Sequence, residues 1–268
     1  MAFSRRCINA VLSSLVLSVA LAGTAHAKEL RYAMGFPPGS DSDKAGQAYA
    51  KAVSEHSNGK LTVKVYPMSL LNFAETSAGL RDGIADIGYL LAPYFPSEYP
   101  HFNLIAESSM QLLLLDDKVR GREGMAYVGA MGEFVFFNCP ECKADFEKQN
   151  QVFTGNAGSS PYGLTCNKPV VTEADLKGKR LRVAGSHWSR WASHMGATPI
   201  TMSSNEALEA MQQGVVDCVV VSAPELTNLG IMEAVTDVTM AVPGGIFAGT
   251  GVSQVNADTW RSLSKDER

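Results

Sequence analysis

The sequence lacks the motifs on which several common classes of enzyme depend. It contains no G-x-S-x-G serine elbow, no H-E-x-x-H zinc pair and no glycine-rich phosphate loop. His187 and His194 are seven residues apart, which is not the spacing of a helical zinc pair. We therefore interpret both histidines as polar positions on a helix, and we expect no catalytic residues, no metal and no cofactor.

An excess of basic residues is also absent. The chain has 23 Lys and Arg against 27 Asp and Glu, a formal charge of −4. Nucleic acids require a basic protein face, so this balance argues against a nucleic-acid partner. The 268 residues, of which 46% are hydrophobic, are enough for one large or two ordinary domains with buried cores.

The N-terminus has the three parts of a secretory signal. Arg5 and Arg6 precede an apolar run, and Ala25-His26-Ala27 supplies small residues for cleavage. The run is short for a membrane span, although an uncleaved anchor remains the alternative. The residue directly after the cleavage site is Lys28 and not cysteine, which argues against a lipoprotein anchor. We expect a signal peptide over residues 1–27, a mature periplasmic chain of formal charge −6, and, from the helix-like ending WRSLSKDER, a chain truncated at its C-terminus.

Cysteine is scarce after the predicted cleavage site. The four that remain, Cys139, Cys142, Cys166 and Cys218, allow three full pairings in a compartment that permits disulfides. Cys139-Pro-Glu-Cys142 stands between FVFF and KADFEKQN, an order similar to the strand, CxxC and helix of a thioredoxin-like site. A periplasmic thiol-disulfide oxidoreductase is therefore the alternative function, and zinc binding is a further one. The surrounding chain offers no compact βαβ context, which favours a structural disulfide or inert thiols.

Short apolar strands alternate with helical patterns along the chain. The segment 30–34 reads as a strand, Ser40 or Ser42 as a helix N-cap, Asn58-Gly59 as a helix end and 61–67 as a second strand. Such βαβ units favour a right-handed crossover and a parallel sheet. Ligand crevices in open α/β sheets lie beyond the carboxyl ends of the strands, which makes four residues pocket candidates: Phe36, Tyr89, Leu91 and Tyr94.

A second βαβαβ pattern contains an arginine inside an apolar strand. The strand is RLRVA, and the central charge is that of Arg182. Burying a guanidinium away from water costs roughly several kcal/mol unless an anion or a full set of hydrogen-bond acceptors pairs with it. The partner is either a ligand carboxylate or a carboxylate of the same lobe, such as Glu206 or Asp217.

Several motifs in order give the chain a family resemblance. DLKGKRLRVAGS and MGATPITMSSNEALEAMQQGVVD, preceded by SEHSNGKLTVKVYP and LRDGIADIGYLLAPYFPSEYP, resemble the pattern of DctP-type solute-binding proteins of tripartite ATP-independent periplasmic (TRAP) transporters. The resemblance covers almost all of residues 30–268. It implies an α/β fold of two lobes with a hinge and a cleft between them, and a monomer. The lobes would be residues 28–157, residues 158–244 and a return to the first lobe over 245–268.

The resemblance also implies a function. A small organic acid is held in the cleft, its carboxylate on Arg182, and is delivered to membrane permease subunits. The planar guanidinium suits this role because it offers two parallel N–H donors to a carboxylate.

Two departures from the family pattern concern the charge of the cleft. Tyr162-Gly163 stands where many relatives carry a second arginine, and the chain after Asp217 is apolar until Ser222. We therefore expect a monocarboxylate with an apolar or aromatic body, although Glu225 lies near. The predicted ligand-binding set is Arg182, Phe36, Tyr89, Leu91, Tyr94, Tyr162, Trp188, Ser222 and Phe247.

Overall fold

The alternating patterns fold into two separate sheets in a computed structural model, which describes residues 27–114, 117–119, 121–240 and 249–268. The predicted signal peptide lies outside the described residues except for Ala27. Over the described ranges no helix has both the length and the apolar character needed to cross a membrane. The same ranges contain no group of three or more His, Cys, Asp or Glu side chains placed to hold a metal ion.

The first half of the chain forms most of the first sheet and its helices: β1 (Lys28–Met34), α1 (Asp41–His56), β2 (Leu61–Pro67), α2 (Thr76–Arg81), β3 (Ile87–Leu91), α3 (Pro100–Ala106), α4 (Glu123–Asn138), α5 (Pro140–Lys148) and β4 (Gln151–Val152). The second sheet and the return follow: β5 (Tyr162–Cys166), β6 (Arg180–Val183), α6 (Ser186–His194), β7 (Thr198–Thr201), α7 (Ala207–Gln212), β8 (Cys218–Ser222), α8 (Ala223–Asn228), β9 (Asp237–Thr239), β10 (Thr250–Asn256) and α9 (Ala257–Ser262).

Both sheets are built on the same parallel unit. The first sheet has the order β2-β1-β3-β10-β4 and the second has β7-β6-β8-β5-β9. In each, three parallel strands are joined by crossover helices, and two further strands, attached through antiparallel pairings, complete one side. The parallel units place the carboxyl ends of β1, β3, β6, β7 and β8 at ligand-facing edges. The predicted α/β fold of two lobes is confirmed.

Local sequence explains where α1 begins and ends. Ser40 accepts a hydrogen bond from the amide of Asp43 at 3.2 Å, which satisfies one of the free N–H groups of the first turn. Asp41 and Asp43 add negative charge where the helix dipole is positive. The helix stops before Asn58 and Gly59, as their sequence predicts.

An Arg–Asp pair occupies the same place in both parallel units. In the first, the amide and guanidinium of Arg31 on β1 donate to Asp86, which immediately precedes β3. In the second, Arg180 on β6 donates to Asp217, before β8, from its amide at 2.8 Å and from Nη2 at 2.8 Å. Each aspartate therefore joins two neighbouring parallel strands at the edge opposite the cleft.

The chain crosses between the sheets twice. It leaves the first sheet after β4, enters the second at β5, and returns between β9 and β10. We propose the boundaries expected from the sequence, 28–157 and 158–244 with a return over 245–268, because both crossings fall at or next to them. The largest core cluster continues across the lobes, and includes Phe36 and Phe73 on one side and Tyr162 and Trp188 on the other.

The four cysteines among the described residues form two pairs, Cys139–Cys142 and Cys166–Cys218. The second joins residues that stand directly opposite each other on β5 and β8. The first caps α5, because Cys139 Sγ accepts from the amide of Cys142. The strand that a thioredoxin-like site would have before the CxxC motif is not there: residues 134–137 belong to α4, so the order is helix, CxxC, helix. With Cys142 fully buried, the thioredoxin-like interpretation is not favoured.

We expect Asp217→Asn to lower the free energy of unfolding by about 1 kcal/mol, because it weakens hydrogen bonds to the Arg180 amide and guanidinium that are partly screened by water. The hydrogen bonds from Arg180 hold the pKa of Asp217 below its ordinary value. Its contribution is therefore complete above the ordinary Asp pKa, about 4, and is lost as pH falls through the folded-state pKa. Urea unfolding at pH 7 and pH 3 measures both effects.

Glu55→Gln is the matched control, because Glu55 pairs with Lys51 on an exposed helix face at 3.7 Å. Equal losses in the two variants, or a loss for Asp217→Asn that does not shrink at pH 3, would contradict this role of the pair.

Candidate carboxylate-binding cleft

A cavity of about 220 Å³ lies between the two lobes. Residues at the carboxyl ends of parallel strands form much of the cavity wall. The first residues of β5 and β10, Tyr162 and Thr250, also line it. The lining residues are Phe36, Ser42, Tyr89, Leu91, Tyr94, Gly158, Ser159, Ser160, Tyr162, Arg182, Ser204, Ser222, Pro224, Glu225, Asn228 and Thr250. The cavity therefore combines aromatic side chains with many hydroxyl groups and two residues of opposite charge.

Arg182 is placed in this wall by the alternation of β6. Leu181 and Val183 face the core on one side of the strand, so Arg180 and Arg182 face the other. Arg180, at the edge, pairs with Asp217. Arg182, two residues further along, is only 1% exposed. Among the described residues it is the largest side chain that is fully buried.

Protein acceptors satisfy only part of the Arg182 guanidinium. The carbonyl of Met202 accepts from Nε at 3.1 Å and from Nη2 at 3.0 Å, and the hydroxyl of Tyr94 accepts from Nη2 at 2.5 Å. A guanidinium has five N–H groups, so the two on Nη1 are left without a protein acceptor in the described part of the chain. No carboxylate of those residues pairs with it, since Asp217 is taken by Arg180 and Glu206 forms no ion pair.

The Tyr94 hydroxyl connects the first lobe to the arginine. Besides accepting from Arg182, it accepts from the amide of Ser204 at 3.0 Å, just after β7. A second bridge is the bond from Asn205 Nδ2 to the carbonyl of Gly35 at 2.7 Å. The first lobe thus contacts residues 204 and 205, which directly follow the segment whose Met202 carbonyl accepts from Arg182.

Glu107, which follows α3 in the first lobe, makes a third contact between the lobes. Its Oε1 accepts from the amide of Ser186 at 2.8 Å and from the Ser186 hydroxyl at 2.9 Å, at the start of α6. Gly185 suits this contact because it has a φ of 96° and an added Cβ would lie 3.1 Å from that oxygen. Burial alone would raise the pKa of Glu107, but the nearby His187, 3.8 Å away, and hydrogen bonds from Ser186 hold it below its ordinary value.

Two buried tyrosines supply neutral hydroxyl groups to the cavity. Burial raises the pKa of Tyr89 and raises that of Tyr162 well above its ordinary value. Both phenols therefore stay protonated at neutral pH, and the Tyr162 hydroxyl forms a hydrogen bond with the carboxylate of Glu225. Tyr162 is held in place by Trp188, whose ring stacks on it with centroids 4.7 Å apart.

Seven of the nine residues expected at the site line this cavity: Phe36, Tyr89, Leu91, Tyr94, Tyr162, Arg182 and Ser222. Trp188 is a correction. It does not line the cavity, because the buried face of α6 places it in the core behind Tyr162, where it is 3% exposed. Phe247 lies outside the described residues.

The sequence reasoning missed the polar part of the wall. The sequence predicted Ser42 only as a possible helix cap and did not single out Ser204, and the 158–160 loop and Thr250 come from the two crossings between the lobes. Glu225 was noted only as a neighbour of Ser222. Its signal was present, because Ser222 followed three residues later by Glu is a capping box, and such a box fixes the glutamate beside the strand end.

Comparison with known proteins agrees with this geometry. Residues 32–268 match the family model DctP, bacterial extracellular solute-binding protein family 7. The C4-dicarboxylate-binding periplasmic protein DctP of Rhodobacter capsulatus is 23% identical over 239 residues, which cover 80% of this chain and 62% of that protein. The chain thus spans less than two thirds of that relative.

Solved structures share the fold. DctP7 of Bordetella pertussis, an extracytoplasmic solute receptor binding pyroglutamic acid, has a TM-score of 0.73 and 21% identity, over 90% of this chain and 75% of that one. A marine metagenome TRAP solute-binding protein specific for aromatic acid ligands has a TM-score of 0.72 and 22% identity, over 90% and 72%. The match over residues 32–268 confirms the resemblance: the chain belongs to the DctP family of bacterial extracellular solute-binding proteins.

Proposed function

We propose that this chain is the periplasmic solute-binding component of a TRAP transporter, which captures a small organic acid between its lobes and delivers it to membrane permease subunits. The observation that carries the proposal is the Nη1 group of Arg182. It is a buried cationic donor with no protein acceptor among the described residues, and its side chain lines the cavity between the lobes. A carboxylate is the ligand group that best matches it.

The tyrosine hydroxyls of the cavity support this role. A carboxylate that accepts from Arg182 also needs donors for its remaining lone pairs, and the protonated hydroxyl of Tyr89 lines the same wall, whereas that of Tyr162 is bonded to Glu225. The buried surroundings strengthen these bonds because water does not compete for them. Binding thus requires no nucleophile, base or metal.

The ligand acids of relatives differ, so the cavity itself must indicate the class. Relatives bind C4-dicarboxylates, pyroglutamic acid or aromatic acids by their own descriptions. Arg182 is the one Lys or Arg among the described residues that line this cavity. We therefore favour a ligand with one carboxylate, as expected from the missing second arginine.

Capture works by closure of the lobes. Tyr94, Asn205 and Glu107 make hydrogen bonds across the cleft. A ligand promotes closure only if it binds the closed state more tightly than the open one. A carboxylate on Arg182 does so, because Tyr94 of the other lobe shares the guanidinium with it.

Arg182→Ala should weaken carboxylate binding by about tenfold or more, because the tyrosine hydroxyls lose the charge that anchors the ligand. Arg182→Lys should restore only part of the affinity, since an ammonium lacks the paired N–H geometry. Isothermal calorimetry with the best carboxylate from a thermal-shift screen of organic acids measures this.

Arg180→Ala is the matched control, an arginine removed from the same strand outside the cavity. Unchanged affinity in a folded Arg182→Ala variant, or equal losses in the two alanine variants, would contradict the assignment of Arg182 as the anchor. Circular dichroism and the Tm establish that each variant is folded.

Glu107 does not line the cavity, but Glu107→Gln should still weaken ligand binding by about fivefold. The substitution weakens the charge-assisted hydrogen bonds from Ser186 that join the lobes. The contact is complete above the ordinary Glu pKa, about 4, and is lost as pH falls through the lowered pKa of the closed form. The difference between wild type and variant should therefore shrink at acid pH.

The matched control is Glu133→Gln, which changes an exposed glutamate on α4. Small-angle scattering shows whether the ligand-saturated Glu107→Gln protein is more open than wild type. An affinity equal to that of wild type at neutral pH would mean that this contact does not contribute to closure.

A further inference from the structure

The first turn of α6 receives its N-terminal cap from the other lobe. The residue before the helix is Gly185, which has no side chain that could accept from the free amides of the first turn. Glu107 of the first lobe supplies that acceptor, because its Oε1 accepts from the Ser186 amide at 2.8 Å and from the Ser186 hydroxyl at 2.9 Å. The cap of α6 therefore depends on contact between the lobes.

Two aromatic side chains follow Ser186 in the same turn and connect it to the cavity. Nδ1 of His187 lies 3.8 Å from Glu107 Oε1, and the centroid of the His187 ring is 3.9 Å from that of Trp188. Trp188 in turn stacks on Tyr162, with the two ring planes only 8° apart. The rings of α6 thus join the interlobe contact to the cavity wall.

Tyr162 is the member of this row of contacts that lines the cavity. Its backbone pairs with that of Ser222 on β8, and its hydroxyl forms a hydrogen bond with the carboxylate of Glu225. A tyrosine ring can rotate about its side-chain torsions unless a neighbour packs on its face, and Trp188, 3% exposed, packs there. The position of the Tyr162 hydroxyl in the wall therefore depends on Trp188.

We propose that Trp188 is a positioning residue that couples closure of the lobes to the shape of the cavity wall. When Glu107 caps the first turn of α6, that turn holds Trp188 flat against Tyr162, and the wall takes the form that accepts a carboxylate beside Arg182. When the lobes separate, the uncapped turn loosens and Trp188 no longer holds Tyr162. The inference rests on the proposed function, and it gives a role to a tryptophan that was expected to contact the ligand and does not line the cavity.

The coupling is reciprocal by linkage. A carboxylate that favours the closed lobes must also favour the state in which Trp188 is stacked, and loss of the stack must weaken the carboxylate. Both directions can be measured, the first by the solvent access of Trp188 and the second by affinity. The probe in both experiments is the most tightly bound of pyroglutamate, 3-hydroxybenzoate and succinate, or, if none binds, the acid that raises the Tm most in the organic-acid screen.

Fluorescence quenching measures the solvent access of Trp188. The sequence has three tryptophans, so Trp191→Phe and Trp260→Phe together leave Trp188 as the single one. In this protein the saturating probe should lower the acrylamide quenching constant by about twofold or more, and Glu107→Gln should cancel most of that decrease, because the first turn of α6 loses its charged cap. Glu133→Gln, on an exposed position of α4, is the matched control and should leave the decrease unchanged.

Calorimetry with the same probe measures the effect of Trp188 on affinity. Trp188→Leu should weaken binding by about fivefold or more, because Tyr162 loses the ring that packs on it, and Trp188→Phe should return the affinity to within about twofold of wild type, because a smaller ring still stacks. Trp191→Leu is the matched control, since it removes a partly buried tryptophan about one turn further along the same helix.

A double-mutant cycle separates coupling from a loss of packing. In the Trp188→Leu background Glu107→Gln should cost no more than about twofold in affinity, against about fivefold in wild type, because the two residues act on the wall through one path. Circular dichroism and the Tm establish that each variant is folded. If Trp188→Leu does not fold, the quenching experiment decides alone, because it uses a protein that keeps Trp188.

The outcomes separate this inference from the function on which it rests. Equal losses in Trp188→Leu and Trp191→Leu, a full cost of Glu107→Gln in the Trp188→Leu background, or a decrease in quenching that Glu107→Gln does not alter overturns the inference and leaves the proposed function standing. Absence of binding by all three carboxylates, together with an unchanged Tm throughout the organic-acid screen, contradicts the proposed function and the inference with it.

Discussion

The burial of one guanidinium is the constraint around which this molecule is arranged. Arg182 lies in a short parallel strand with 1% of its surface exposed. A buried charge left without partners would cost roughly several kcal/mol there. Met202 and Tyr94 provide acceptors for three of its N–H groups and no more. Arg182 lines the interlobe cavity, so in the function proposed above a ligand anion offsets the rest of the cost of the buried charge.

The same arginine links binding to the relation between the lobes. Tyr94 of the first lobe accepts from Arg182 and from the Ser204 amide, so the closed arrangement and the anion site share a hydrogen-bond network. Asn205 and Glu107 add contacts across the cleft that do not touch the cavity. Affinity therefore depends on residues that never meet the ligand, as closure by differential affinity requires.

Local patterns predicted the features that depend on local physics. The alternation of RLRV placed Arg182 opposite Leu181, and the ends of β1 and β3 placed Phe36 and Leu91 in the wall. Features that depend on tertiary packing were missed. Trp188 lies on the face of α6 that packs in the core behind Tyr162, and helical spacing alone does not tell which face that is. Thr250 and the 158–160 loop enter the cavity only because the chain crosses twice between the lobes.

Native mass spectrometry of the protein released gently from the periplasm tests the central claim most directly. Wild type should retain a co-purified organic acid whose mass is identified after denaturation, and Arg182→Ala prepared in parallel should be free of it while Arg180→Ala retains it. Retention of the same acid at the same occupancy by folded Arg182→Ala would contradict the account, because the buried guanidinium would then not be the anchor.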